Sequence, residues 1–149
     1  MMLPMPLVPV EHILMEADSA SKRTLIDEMA ELLPGIDNDQ VLEVVMAREA
    51  LGSTGIGHGV AIPHGRMPAL SEPLLALARH PKGLDFDSID GEPVHIIILL
   101  LVPEHADRTH LELLAYLARI LQTEQTREAI LQADSAEEIS GLLSTFNNP

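Results

Sequence analysis

Val94-His95-Ile96-Ile97-Ile98-Leu99-Leu100-Leu101-Val102 is apolar at every position but one, and Pro103 stops it. Its first half is rich in β-branched residues, and it does not alternate as a half-exposed strand would. Such a run predicts a central strand covered on both faces. His95, near its beginning, reads as a strand-edge residue and not as a ligand.

Working outward, Leu74–Arg79 is a second apolar run, and the polar stretch Lys82–Glu92 holds a tight turn at Asp90-Gly91. Val60–Ile62 forms a short strand that ends at a Pro63 bend. Helical spacing precedes and follows these strands. Leu25, Ile26, Met29, Leu32 and Leu33 define a helix capped by Ser19 or Ser21 and ended by Pro34-Gly35. A second begins at Asn38 or Asp39, turns Val41, Leu42, Val45 and Met46 inward, carries Arg48 in its last turn and ends on Gly52. Downstream, His110, Leu113, Leu114, Leu117 and Leu121 share a face, opened by a capping box at Thr109-x-x-Glu112. Two more helices fit Thr126–Ala133 and Ala136–Phe146. The latter opens with Ser135-x-x-Glu138 and has Ile139, Leu142, Leu143 and Phe146 inward. The order ααβββαα predicts an α/β three-layer sandwich, a mixed sheet flanked by helices on both faces. Met1–Asp18 reads as an extended lead-in anchored by Val10, Ile13 and Leu14. No repeat or linker divides residues 1–149, so one domain is expected.

Composition narrows the function. The formal net charge of −14 leaves no basic stripe for nucleic acid, and with aromatics at 2% there is no platform for stacking bases. Basic protein partners are expected instead. The absence of cysteine removes disulfides and thiolate metal sites and fits a reducing cytosol. The N-terminus lacks the basic region of a signal peptide, and the longest apolar run, Ile96–Val102, is far short of the ~20 residues that cross a bilayer. A cytoplasmic protein with no membrane insertion is expected.

The chemistry gathers in Gly52-Ser-Thr-Gly-Ile-Gly-His-Gly-Val-Ala-Ile-Pro-His-Gly-Arg66. Glycines at this density let backbone N–H groups approach an anion, and Pro63 presents His64 at the end of a strand. Amides at Gly55, Gly57 and Gly59, with the hydroxyls of Ser53 and Thr54, are candidates to line an anion pocket. The pattern is neither a P-loop nor a dinucleotide fingerprint. A histidine here, neutral at working pH and exposed, suits a nucleophilic role. The competing structural reading is a glycine-rich connection with no function.

Ser-Thr-Gly-Ile-Gly-x-Gly-x-Ala-Ile-Pro-His-Gly-Arg resembles the phosphorylation signature of the fructose/mannitol-type enzyme IIA proteins of the phosphoenolpyruvate-dependent phosphotransferase system. The uninterrupted Gly-Ser-Thr-Gly-Ile-Gly is most similar to the nitrogen-regulatory branch. The resemblance spans roughly Ala20–Phe146 and implies the same α/β layout, with His64 as phosphoryl acceptor. It implies that His110, opening its helix as Thr-His-Leu, lies beside His64, and that Arg48, in Arg-Glu-x-x-Gly-Ser-Thr, faces the phosphate. Without it, His110 reads as a core histidine and Arg48 as a helix-end charge. Arg66 is expected to stay mostly solvated. The implied donor is a histidine-containing phosphocarrier protein, and the recipient a regulatory protein target or a permease IIB component; no cofactor is implied. Two rivals remain: a metal site on His58, His64 and His110, with His105 near, and a purely protein-binding regulator in which His64 is a switch.

Overall fold

The computed structural model of the chain describes residues 6–105 and 108–146, the side chains of 109 and 144–146 excepted. Its centre is the apolar run singled out by the sequence. Strand β6, Val94–Pro103, pairs antiparallel with β5, Leu74–Leu84. On its other side β6 pairs in parallel with two short strands in succession, β3 (Val60–Ala61) and β4 (His64–Met67). β2, Gly55–Gly57, pairs antiparallel with β3, and β1, Ile13–Leu14, lies parallel to β5. The result is a mixed sheet of six strands in the order β1-β5-β6-β3-β2, with β4 attached to β6.

Alternation along β6 divides the interior. Ile96, Ile98, Leu100 and Val102 pack with Leu113, Leu117 and Leu121 of α3 (Thr109–Leu121), Ile130 of α4 (Glu124–Gln132), and Ile139 and Leu143 of α5 (Ala136–Phe146). Ile97, Leu99 and Leu101 face the other way, against Leu25, Ile26 and Met29 of α1 (Lys22–Ala30) and Val41 and Val45 of α2 (Asn38–Leu51). Burial on both faces explains the unbroken apolar run. The three-layer α/β sandwich is as the sequence predicts.

The details differ in instructive ways. Ser21, not Ser19, caps α1 by accepting from the Thr24 amide, and the helix stops at Ala30, before Pro34-Gly35. α2 starts at Asn38, as expected, and its cap is Asp37. β5 runs through Pro81-Lys82-Gly83 to Leu84, a span whose polar composition suggests turn. α3 is preceded by Arg108, so Thr109 is its first helical residue and not the cap of a capping box. α4 starts at Glu124 after Thr123. Ser135 does cap α5, its Oγ accepting from the Glu138 amide at 3.1 Å. The inward placement of Phe146 lies outside the described side chains. The lead-in is part of the core: Leu7 and Val8 are fully buried and β1 extends the sheet.

The glycine stretch is the largest departure. It is a hairpin, not a loop: β2 and β3 are joined by His58-Gly59, whose φ values of 58° and 77° are the positive pair a type I′ turn requires.

Candidate functional site

β3 and β4 lie end to end along β6, interrupted by Ile62-Pro63, and the Pro63 carbonyl accepts from the Leu100 amide at 2.9 Å across the gap. His64 therefore opens a strand where the sequence suggests that it closes one. It is also buried, at 7% exposure, where the sequence suggests an exposed ring. Among the described residues, β4 pairs only with β6, so His64 sits at a free sheet edge. Helices on opposite faces can reach around that edge to one ring.

From the α3 face comes His110, in the first turn of that helix. Its ring centroid is 4.9 Å from that of His64, with the rings nearly perpendicular. From the other face comes Arg48, in the last turn of α2. Gly65 makes that approach feasible: a Cβ at this position would stand 2.6 Å from Val44 Cγ1, so only glycine lets α2 lie this close to β4. Arg66, two residues along β4, shares the His64 face. It is exposed, and its Nη1 donates to the Glu104 carbonyl at 3.1 Å.

The ring itself is oriented by its own backbone. His64 Nδ1 lies 2.8 Å from the Ile62 carbonyl oxygen. A carbonyl can only accept, so Nδ1 carries the proton and the lone pair is on Nε2. Burial lowers the His64 pKa below its ordinary value of 6.5; the bond to Ile62 opposes this, nearby Arg48 adds to it and Glu49 opposes it. His110 is lowered as well, by burial first and then by His64, Arg66 and Arg48. Near neutral pH this leaves two uncharged imidazoles in contact beside two guanidinium groups.

The remaining loop residues have other partners. Ser53 Oγ donates to the Phe86 carbonyl and accepts from the Gly55 amide. The Thr54 hydroxyl and amide both donate to Glu49 Oε1. The amide of His58 donates to Asp90 Oδ2 at 3.1 Å, and Gly59 gives its carbonyl to the amides of His95 and Ile96. Gly55 packs on Ser88 and Gly57 beside Asp90. The Ser53 and Thr54 hydroxyls and the Thr54 and Gly55 amides, all expected at an anion pocket, are thus held by Glu49, Phe86 and Ser53 and frame the site from within the protein. Glu49 is the residue that sequence reasoning missed. Its adjacency to Arg48 was visible, but its burial at 6% exposure was not.

His58 stands at the exposed hairpin tip, and among the described residues no group of three or more His, Asp or Glu is placed to hold a metal. His95 Nδ1 donates to the His80 carbonyl at 3.0 Å, as a structural strand residue would. No helix among the described residues is long and apolar enough to cross a membrane.

Residues 6–145 match the family described as phosphoenolpyruvate-dependent sugar phosphotransferase system, EIIA 2. The chain belongs to this family. It is 37% identical over 139 residues to the nitrogen regulatory protein of Pseudomonas aeruginosa, covering 91% of this chain and 90% of that one. It is 34% identical over 142 residues to the fructose-specific EIIA component of Haloferax volcanii, covering 93% and 92%. The crystal structure of nitrogen regulatory protein IIA-Ntr from Neisseria meningitidis superposes with a TM-score of 0.86 at 40% identity, over 91% of this chain and 95% of that one. EIIA proteins are phosphoryl carriers, and a coarse phosphotransfer role comes with membership.

Proposed function

We propose that this EIIA protein is a phosphocarrier of the nitrogen-regulatory kind, in which His64 Nε2 accepts a phosphoryl group from the phosphohistidine of a small histidine-containing phosphocarrier protein. The observation that carries this reading is the His64 Nδ1 to Ile62 carbonyl bond at a sheet edge flanked by His110, Arg48 and Arg66. In the step, the Nε2 lone pair forms the new N–P bond as the donor's N–P bond breaks. The donor imidazole leaves with that electron pair. The proton stays on Nδ1, donated in a hydrogen bond to the Ile62 carbonyl, so no general base is required. Arg48 neutralises the phosphoryl oxygens, and His110 supplies a further donor once protonated beside the new dianion. The donor is already activated, so alignment of two imidazoles suffices without nucleotide or metal.

A protein donor needs an apolar docking face. Leu51, at 85% exposure, follows Arg48 on α2, and Leu111, at 68%, adjoins His110, so the site is bordered by side chains that a partner would cover. The uninterrupted Gly-Ser-Thr-Gly-Ile-Gly and the 40% identity to a IIA-Ntr support the nitrogen branch. The fructose-specific relative supports a second reading, in which phosphate passes to a permease IIB component.

Incubation with phosphoenolpyruvate, enzyme I and the phosphocarrier protein tests the proposal. The expected product carries one acid-labile, base-stable phosphoryl group that is absent from His64→Ala. Transfer onward to a fructose IIB component at a comparable rate would favour the second reading. Stoichiometric labelling of His64→Ala would refute both.

A further inference from the structure

Glu49 follows Arg48 in the last turn of α2, and its carboxylate joins α1 to the turn that follows, the Thr54 amide reaching Oε2 at 3.4 Å as well as Oε1. Oε2 accepts from Lys22 Nζ on α1 at 2.9 Å. Oε1 accepts from the Thr54 amide at 3.1 Å and from the Thr54 hydroxyl. Lys22 also donates to the Phe86 carbonyl at 3.2 Å, the same oxygen that takes the Ser53 hydroxyl, and lies 4.8 Å from the centre of the Phe86 ring. Its other anion, Asp87, is 3.8 Å away and largely exposed. Between Glu49 and Thr54 the chain makes one tight turn. The Gly52 amide donates to the Glu49 carbonyl at 3.1 Å, and Arg48 Nη1 donates to the Gly52 carbonyl at 2.8 Å. The turn that Glu49 ties down thus carries the oxygen that orients Arg48.

We propose that Glu49 is a positioning residue of this site: its buried carboxylate, held by Lys22, fixes residues 49–54 so that the Gly52 carbonyl steers Arg48 towards His64. The inference rests on the reading of His64 as phosphoryl acceptor. Glutamate is the residue that fits, because both its oxygens accept. A glutamine has one acceptor: with that oxygen on Lys22 it holds the Thr54 amide only through the longer 3.4 Å contact, and its NH2 group faces the amide where Oε1 had accepted. The charged groups facing His64 are Arg48 and Glu49 from α2; the titratable His110 faces it from α3, and Arg66 of β4 faces His110.

A double-mutant cycle tests this. Transfer from the phosphorylated carrier protein is measured for wild type, Glu49→Gln, Arg48→Ala and the double variant. Glu49→Gln is expected to lower kcat at least tenfold with KM within about twofold, and to cost under about twofold once Arg48 is gone. Equal cost in both backgrounds would overturn the proposal. If Glu49→Gln does not fold, Thr54→Val replaces it, removing one hydroxyl contact; a smaller slowing that disappears in the Arg48→Ala background is expected, and one that persists overturns the proposal. NMR without any donor separates this claim from that of phosphoryl acceptance. In Glu49→Gln, or in Thr54→Val where that replaces it, the Arg48 Nε–Hε resonance should lose its distinct shift. An unchanged resonance refutes the positioning role even if no variant can be phosphorylated.

Discussion

In the proposed step His64 attacks only while its ring is neutral, and both histidines of the site are held below their ordinary value by burial. The sign of the consequence is fixed. A depressed pKa means that the unfolded chain binds protons which the folded site refuses, so stability is lost as pH falls below 6.5 towards the folded values. Denaturant titrations between pH 8 and 5 should show this loss, and His64→Ala/His110→Ala should flatten it. A wild-type slope in that double variant would contradict the burial of the pair. His110→Ala should remain phosphorylatable but transfer more slowly by roughly 2.7–4 kcal/mol of barrier, the typical effect of removing one transition-state donor. Arg48→Lys should also be slowed with an unchanged melting temperature, since lysine keeps the charge but not the planar fork. Equal rates would reduce Arg48 to a helix-end charge.

At the scale of elements, Gly65 and Arg79 carry the most consequence. Gly65→Ala forces a methyl into Val44, and overpacking of this kind costs about 1–3 kcal/mol. Because α2 carries Arg48, transfer should fall along with stability; a stability loss with unchanged transfer would mean that α2 does not position Arg48. Arg79 ties β5 to the end of α4: its Nη1 donates to the carbonyls of Ile130, Leu131 and Ala133 and its Nε to that of Met15. The carbonyls of Leu131 and Ala133 stand at the C-terminal end of α4, where a helix leaves carbonyls short of internal partners. Arg79→Ala should cost about 2–3 kcal/mol in urea unfolding, on the scale of a charged hydrogen bond, and leave transfer intact. Central β6 and the core faces of α1, α2 and α3 were legible because their patterns follow burial directly. Illegible were the elements set by pairing alone. β1 and β2 are too short to show a period, and β4 reads as a turn because His64-Gly65-Arg66 has no strand composition. Ser53 and Thr54 resemble anion ligands in sequence because nothing local reveals that Glu49 is buried within reach.

Over the whole molecule, a net charge of −14 surrounds a small cluster of imidazole and guanidinium groups. Such a field steers basic partners, so the association rate with the donor should fall steeply with ionic strength while kcat changes little. Stopped-flow measurements at rising salt would reveal this, and a salt-independent rate would locate docking in the apolar border alone. Leu111→Asp should raise KM for the donor without altering the His64 titration. The proposed acceptor chemistry depends on β4 being, among the described residues, unpaired on one side, so that side chains of α2 and α3 come around the sheet edge to one ring. The most direct test of that arrangement is ¹⁵N NMR of the phosphorylated protein labelled in histidine. Phosphorus coupling is expected at Nε2 of His64, with Nδ1 still protonated and donating to the Ile62 carbonyl. Coupling at Nδ1, or at any other histidine, would contradict it.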